Sequence, residues 1–176
     1  QAYAVRIKSL TNEKIEEPAL ASHEKPSIAV LPFDNMSGDS EQEYFSDGIT
    51  EDIITALSHL RWLNVIARNS SFTYKGQSPD IRQVADELNC RYVLEGSIRK
   101  AGNRVRINAQ LLEGLSGNHI WAEKYDRELE DIFDLQDEIT EAVLGAIEPS
   151  LVLAEIERAK RKHPENMDAY DLFLQS

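Results

Sequence analysis

The segment Ser27 to Phe33 reads SIAVLPF, apolar at every position after the serine, and it is bounded by Pro26 before and by Asp34-Asn35 after. A run this short and this apolar suits a strand buried on both faces rather than one with a wet side. The next stretch of chain is helical in pattern. Phe45, Ile49, Ile53, Leu57 and Leu60 recur at helical spacing, and Ser40 with Glu43 three residues on has the form of a capping box. Gly48 lies inside this helix at a cost of up to ~1 kcal/mol relative to Ala, which points to a close backbone contact or a local break near Asp47. Leu63 to Ala67 (LNVIA) is expected to form a second strand, and Arg68-Asn69-Ser70-Ser71 a polar turn. Pro79-Asp80 then opens a helix whose inward face is Ile81, Val84, Ala85 and Leu88. Strand, helix, strand, helix in that order argues for α/β packing with at least part of the sheet parallel.

The second half is patterned differently. Tyr92 to Lys100 and Arg104 to Leu112 flank Ala101-Gly102-Asn103, a glycine-containing turn of the kind that closes a hairpin. Val105, Ile107, Ala109 and Leu111 alternate with Arg104, Arg106, Asn108 and Gln110, so one face of that strand is apolar and the other solvated. A turn at Gly114 to Asn118 leads into a further strand, His119 to Tyr125. Asp131 or Asp134 can cap a long final helix with the stripe Leu135, Ile139, Val143, Ile147 and Leu151. Pro149 should kink that helix or mark the first turn of another. The expected fold is therefore α/β: a mixed sheet of about five strands, parallel in its first half and an antiparallel hairpin in its second, flanked by helices and ended by a long C-terminal helix.

Charge and composition exclude several functions. Acidic residues outnumber basic ones 31 to 19, for a net charge of −12. That field repels a phosphate backbone or an anionic membrane, so neither nucleic acid nor membrane is expected as a partner. No apolar run reaches the roughly 18–20 residues of a membrane span, and no signal peptide opens the chain; the expected location is cytoplasmic. The single cysteine, Cys90, comes after a helix and precedes a β-rich run, where a buried structural thiol is expected.

The motifs KPSIAVLPFDNMSGD, EYFSDGITEDIITALS, VIARNSSFTYKG, YVLEGSIRKAGNRVRINAQLL, HIWAEKYDRELEDIFDLQDEI and ENMDAYDLFL resemble, in that order, the TolB-like amino-terminal region of bacterial signalling proteins. The resemblance covers Lys25 to about Lys162. It implies a domain placed between an upstream signalling module, often a class III adenylate or guanylate cyclase, and downstream tetratricopeptide repeats. Residues 1–10, with the strand pattern AYAVRI, then correspond to the closing strand of an upstream cyclase-like domain, and 11–26 to a linker. Residues 27–162 are the TolB-like domain, and 163–176, with MDAYDLFL, the start of a helical array. The same resemblance implies a homodimeric parent whose cyclase domain binds Mg or Mn, with adjacent cyclase and repeat domains as partners and further protein partners held by the repeats. A helix-turn-helix transcriptional regulator is the alternative parent, and an independent small-molecule sensor the alternative role.

No chemistry can be placed in the chain itself. Asp126, Asp131, Asp134 and Asp137 lie at a strand end and a helix start, where carboxylates favour the helix dipole; no metal site or cofactor is expected. The four histidines, His23, His59, His119 and His163, share no zinc spacing, and neither a serine elbow nor a phosphate loop occurs. Loops after parallel strands are the remaining candidates, because ligands of open α/β sheets sit outside the carboxyl ends of strands. Asp34, Asn35, Ser37 and Gly38 come after the first strand; Arg68, Asn69, Ser70 and Ser71 come after the second. Arg68 with the Ser70 and Ser71 amides would make a small anion site, against the alternative that all eight residues simply form turns and caps. Arg99, Lys100, Arg104 and Arg106 form a basic patch that Glu95 is expected to neutralise across the strands. Trp121 and Tyr125 share one face of the last strand, as core or as a docking surface for another domain.

Overall fold

The computed structural model describes residues 25–162. The expected strand at AYAVRI, most of the linker and the helix at MDAYDLFL lie outside the described residues.

The SIAVLPF segment forms β1 (Ser27–Val30), and it lies inside the sheet, parallel to β3 (Asn64–Val65) on one side and to β4 (Tyr92–Ala101) on the other. Its side chains alternate between two separate cores. Ile28 and Val30 enter a large cluster with α1 (Glu41–Ser58) and α4 (Ile132–Lys162), while Ala29 and the following Leu31 enter a smaller one with α3 (Ile81–Leu88). That two-sided burial is why the segment carries no alternation of its own.

β4 continues into β5 (Arg104–Glu113) and β6 (His119–Glu128), each antiparallel to its predecessor, so the sheet order is β3-β1-β4-β5-β6. The β4–β5 turn is Gly102-Asn103 with only the glycine at positive φ, +61°, which suits a type II′ hairpin. The second turn closes through Glu113 N–H donating to the Asn118 carbonyl at 2.9 Å. The helix stripes pack as their spacing dictates: Phe45, Ile49, Ile53 and Leu57 of α1, and Leu135, Ile139, Val143, Ile147 and Leu151 of α4, are all buried against one sheet face. Gly48 marks the crossing of these helices. A Cβ there would lie 2.3 Å from Gln136 Nε2, so the expected close contact exists and α1 runs through it unbroken.

Several local readings change. Asp34-Asn35 is not a loop but a two-residue strand, β2, which adds parallel to β4 at Ser97 and Ile98; with it the sheet has six strands. The second strand shrinks from Leu63–Ala67 to Asn64–Val65, and Arg68–Ser71 is a short helix, α2, succeeded by a 3-10 turn at Phe72–Tyr74. The capping box does not form, because Ser40 itself takes helical dihedrals; Asp39 Oδ1 instead accepts from Glu41 N–H at 3.0 Å. At α4, Asp131 Oδ1 accepts from Phe133 and Asp134 N–H, so Asp131 rather than Asp134 is the cap. Pro149 interrupts neither the helix nor its stripe: α4 is continuous over 31 residues.

Candidate functional site

The carboxyl end of β1 opens, beside the middle of β4, on a small crevice of about 130 Å³, lined by Pro32, Asp34, Tyr74, Gln77, Pro79 and Glu95 among others. It lies outside the carboxyl end of a parallel strand, where open α/β sheets offer a binding edge. Several of its polar side chains are held by residues outside it. Tyr74 donates to Glu87, a bond that together with burial pushes the phenol up to about 12 and holds the Glu87 carboxylate below its ordinary range. Glu95 accepts from Gln110. Asp34 is held above the usual carboxylate range by desolvation and, second, by the charge of Glu43.

Of the eight candidate loop residues, Asp34 alone lines this crevice. Asn35 donates from Nδ2 to the Asp39 carbonyl at 2.7 Å and accepts the Ser37 N–H on Oδ1. Ser37 Oγ accepts the Lys100 N–H at 2.8 Å, and Gly38 takes φ +74°. These three build the turn that carries β2 into α1. Arg68 lies against α1 instead: its guanidinium binds Glu51 Oε2 at 2.8 Å and rests 4.1 Å above the Phe72 ring. The Ser70 and Ser71 amides both donate to the Ala67 carbonyl, so they are turned into their own helix, and Asn69 is exposed beside them. An Arg68 anion site would first have to release both the Glu51 pair and those two amides.

In the basic hairpin Arg106 is paired, and by a different partner than expected. Glu95 faces Gln110 in the register, while Arg99 faces Arg106, and it is Asp126 of β6 that binds Arg106, at 2.7 Å. Hydrogen bonding from Arg106 holds the Asp126 carboxylate below its ordinary range. Trp121 and Tyr125 stand opposite Leu111 and Ile107 and pack, half-buried, on the main core under α4. Cys90 is buried, and desolvation pushes its thiol up to about 11. Among the described residues no group of three or more His, Cys, Asp and Glu side chains could hold a metal ion, and no helix is long and apolar enough to cross a membrane.

The strongest polar assembly lies at the opposite end of the sheet from the crevice. Arg91 Nη1 donates to both carboxylate oxygens of Glu155, at 2.7 and 2.8 Å, and the Tyr92 hydroxyl donates to the same carboxylate. Glu155 continues the four-residue stripe of α4 one step beyond Leu151, so an acid in an apolar register was visible in the sequence; its partners, more than sixty residues away, were not. This assembly fastens the last third of α4 to the start of β4.

With that geometry in place, the comparisons with known proteins decide the family. Residues 23–142 match the family described as the second domain of HilA/YgeH-like transcriptional regulators. The chain belongs to this family. A protein of Rhizobium meliloti (strain 1021) named "Putative adenylate cyclase 3" is 59% identical over 160 residues, which is 91% of this chain. The chain spans 27% of that relative's length. Among solved structures, lipoprotein GNA1162 from Neisseria meningitidis superimposes with a TM-score of 0.50 at 19% identity, covering 71% of this chain and 98% of the other. TolB from Acinetobacter baumannii reaches a TM-score of 0.48 at 17% identity, over 69% of this chain and 28% of its own length. The first of these likenesses speaks to the fold alone.

Proposed function

We propose that this chain is a non-catalytic regulatory or scaffolding domain of a larger adenylate or guanylate cyclase, joining a cyclase module to a helical, tetratricopeptide-like array. The observation that carries the reading is the match to the Rhizobium meliloti relative, which takes up nearly all of this chain and about a quarter of the relative. The interior supports it. The crevice is small, its Tyr74 and Glu95 side chains are held by Glu87 and Gln110 outside it, and the buried ion pair fastens a helix to the sheet. Cyclase chemistry needs two divalent metals on paired carboxylates, here Mg or Mn held by the upstream module. The reading places the protein in the cytoplasm, where its nucleotide substrates are.

A second reading is favoured by the family match itself: the same domain would sit behind a DNA-binding module in a transcriptional regulator. One experiment separates the two. Cyclic nucleotide synthesis and promoter binding are measured for the whole parent protein, with and without residues 25–162. The first reading expects cyclase activity whose level, dimerisation or response changes on deletion. A parent without cyclase activity, or one indifferent to the deletion in all three respects, refutes it.

A further inference from the structure

The ten residues of β6 form the outer edge of the sheet: β5 covers one side of the strand, and among the described residues no backbone hydrogen bond reaches its other side. A long open edge is a template for another strand, and proteins ordinarily blunt it. Here the edge carries a pattern that selects its partner. Residues 123 to 127 read Glu, Lys, Tyr, Asp, Arg, a sequence whose charges reverse sign about Tyr125. If a second β6 is laid antiparallel with its Tyr125 opposite this one, Glu123 meets Arg127 of the other copy and Lys124 meets its Asp126, each twice by symmetry. Opposite charges directly across an antiparallel pair stabilise it, and like charges there destabilise it.

The alternative two-fold registers lack this match. Centring on Glu123, Lys124, Asp126 or Arg127 sets that charged residue against its own copy, and centring on Ala122 pairs no charges at all. A two-fold axis normal to the sheet also keeps every pair on one face, as the period of a strand demands. Glu123, Tyr125 and Arg127 lie on the α4 side, and Lys124 and Asp126 lie on the face that carries the Arg106–Asp126 pair. Glu123 and Lys124 are exposed and make no ion pair among the described residues. The charges they would meet, Arg127 and Asp126, already hold Glu138 and Arg106 but keep about a third of their side chains exposed, so a second copy would share these two in extended charge pairs. The five residues sum to zero charge in a chain that carries −12, which makes this strip a place where two such chains can approach without the repulsion of their surfaces.

We propose that two copies of this chain join edge to edge through β6, antiparallel about a two-fold axis at Tyr125, into one continuous sheet. The inference rests on the strand and its charges and does not depend on the cyclase reading. The test is sedimentation velocity and native mass spectrometry of the full 176-residue chain, with Glu123→Arg, Lys124→Asp and Arg127→Glu variants checked for folding by circular dichroism. The chain is expected to dimerise. Glu123→Arg and Lys124→Asp, each creating two like-charge contacts, should weaken the dimer by roughly tenfold or more. Mixing Glu123→Arg with Arg127→Glu should produce a heterodimer stronger than either homodimer, because like charges no longer face each other at both ends of the pairing. A chain monomeric at about 1 mM, a dimer unchanged by Glu123→Arg and Lys124→Asp, or a mixture with no preference for the heterodimer would each overturn the proposal.

Discussion

Neutralising Glu155 tests whether the sheet and α4 are held together as described. The side chain of Glu155 is 9% exposed and that of Arg91 19%, so the pair is largely shielded from water and salt. Glu155→Gln keeps the shape but removes the charge, leaving the Arg91 guanidinium buried without a counter-ion and setting an amide N–H2 among donors. Breaking a buried pair from one side costs about 3–5 kcal/mol when burial is complete. The residual exposure of Arg91 lowers the expectation to about 3 kcal/mol, and for a domain of this size that is a fall in Tm of about 6–12 °C. The assay is urea unfolding monitored by circular dichroism at pH 7, on Glu155→Leu, Arg91→Met and the double variant besides Glu155→Gln. Since replacing both partners by apolar groups removes the stranded charge, the double variant should be more stable than the sum of the single losses by about 2 kcal/mol. A loss below about 1 kcal/mol for Glu155→Gln, or simple additivity in the cycle, would refute the assignment of Arg91, Tyr92 and Glu155 as one fastening.

Three further outcomes rest on particular contacts. Desolvation raises the Cys90 thiol from 9.0 to about 11; the folded state therefore holds its proton longer than the unfolded chain, the stability from this term is whole below pH 9 and is lost as pH rises from about 9 to 11, and the parent should lose up to about 3 kcal/mol more than Cys90→Ala over that window in denaturant titrations. Gly96→Ala places a Cβ 2.3 Å from the Asn108 carbonyl and 2.5 Å from the Phe33 ring; backbone cannot yield as a side-chain tip can, so thermal unfolding should show a loss above about 3 kcal/mol. Gly48→Ala meets only the amide end of Gln136, so it should destabilise alone yet become stabilising by about 1 kcal/mol in a Gln136→Ala background, where the helix propensity of alanine is felt without the clash; equal effects in both backgrounds would contradict the helix crossing.

The parts of this fold legible in the sequence were those written in a short period. β1 declared itself by an unbroken apolar run, α1 and α4 by stripes at spacing four, and the β4–β5 hairpin by alternation around a glycine turn. The parts that stayed hidden depended on long-range partners. Asp34-Asn35 carries no strand signal of its own and pairs only because β4 runs past the turn beside it. Arg106 was expected to meet Glu95, and only the arrival of β6 on the far side of β5 set Asp126 opposite it instead. Pro149 was expected to kink the helix or to mark the first turn of another because local chemistry says so; α4 runs on past it, with Ile147 and Leu151 buried on either side. The candidate loop residues were legible as polar and turn-forming; whether they faced one crevice was fixed by the direction the chain takes after β1, toward β4 and away from β3.

Arg91 also decides how the domain bears load. Its backbone N–H donates to Ser27 at the head of β1, while its guanidinium grips Glu155 near the tail of α4. The two flanks of the domain therefore emerge at the same end, side by side. Tension drawn through them does not stretch the sheet along its strands, where many hydrogen bonds would share it. It peels β1 and α4 apart at one corner, and the ion pair is the first contact to feel the pull. The domain is mechanically a clasp whose load point is the Arg91–Glu155 pair at that corner.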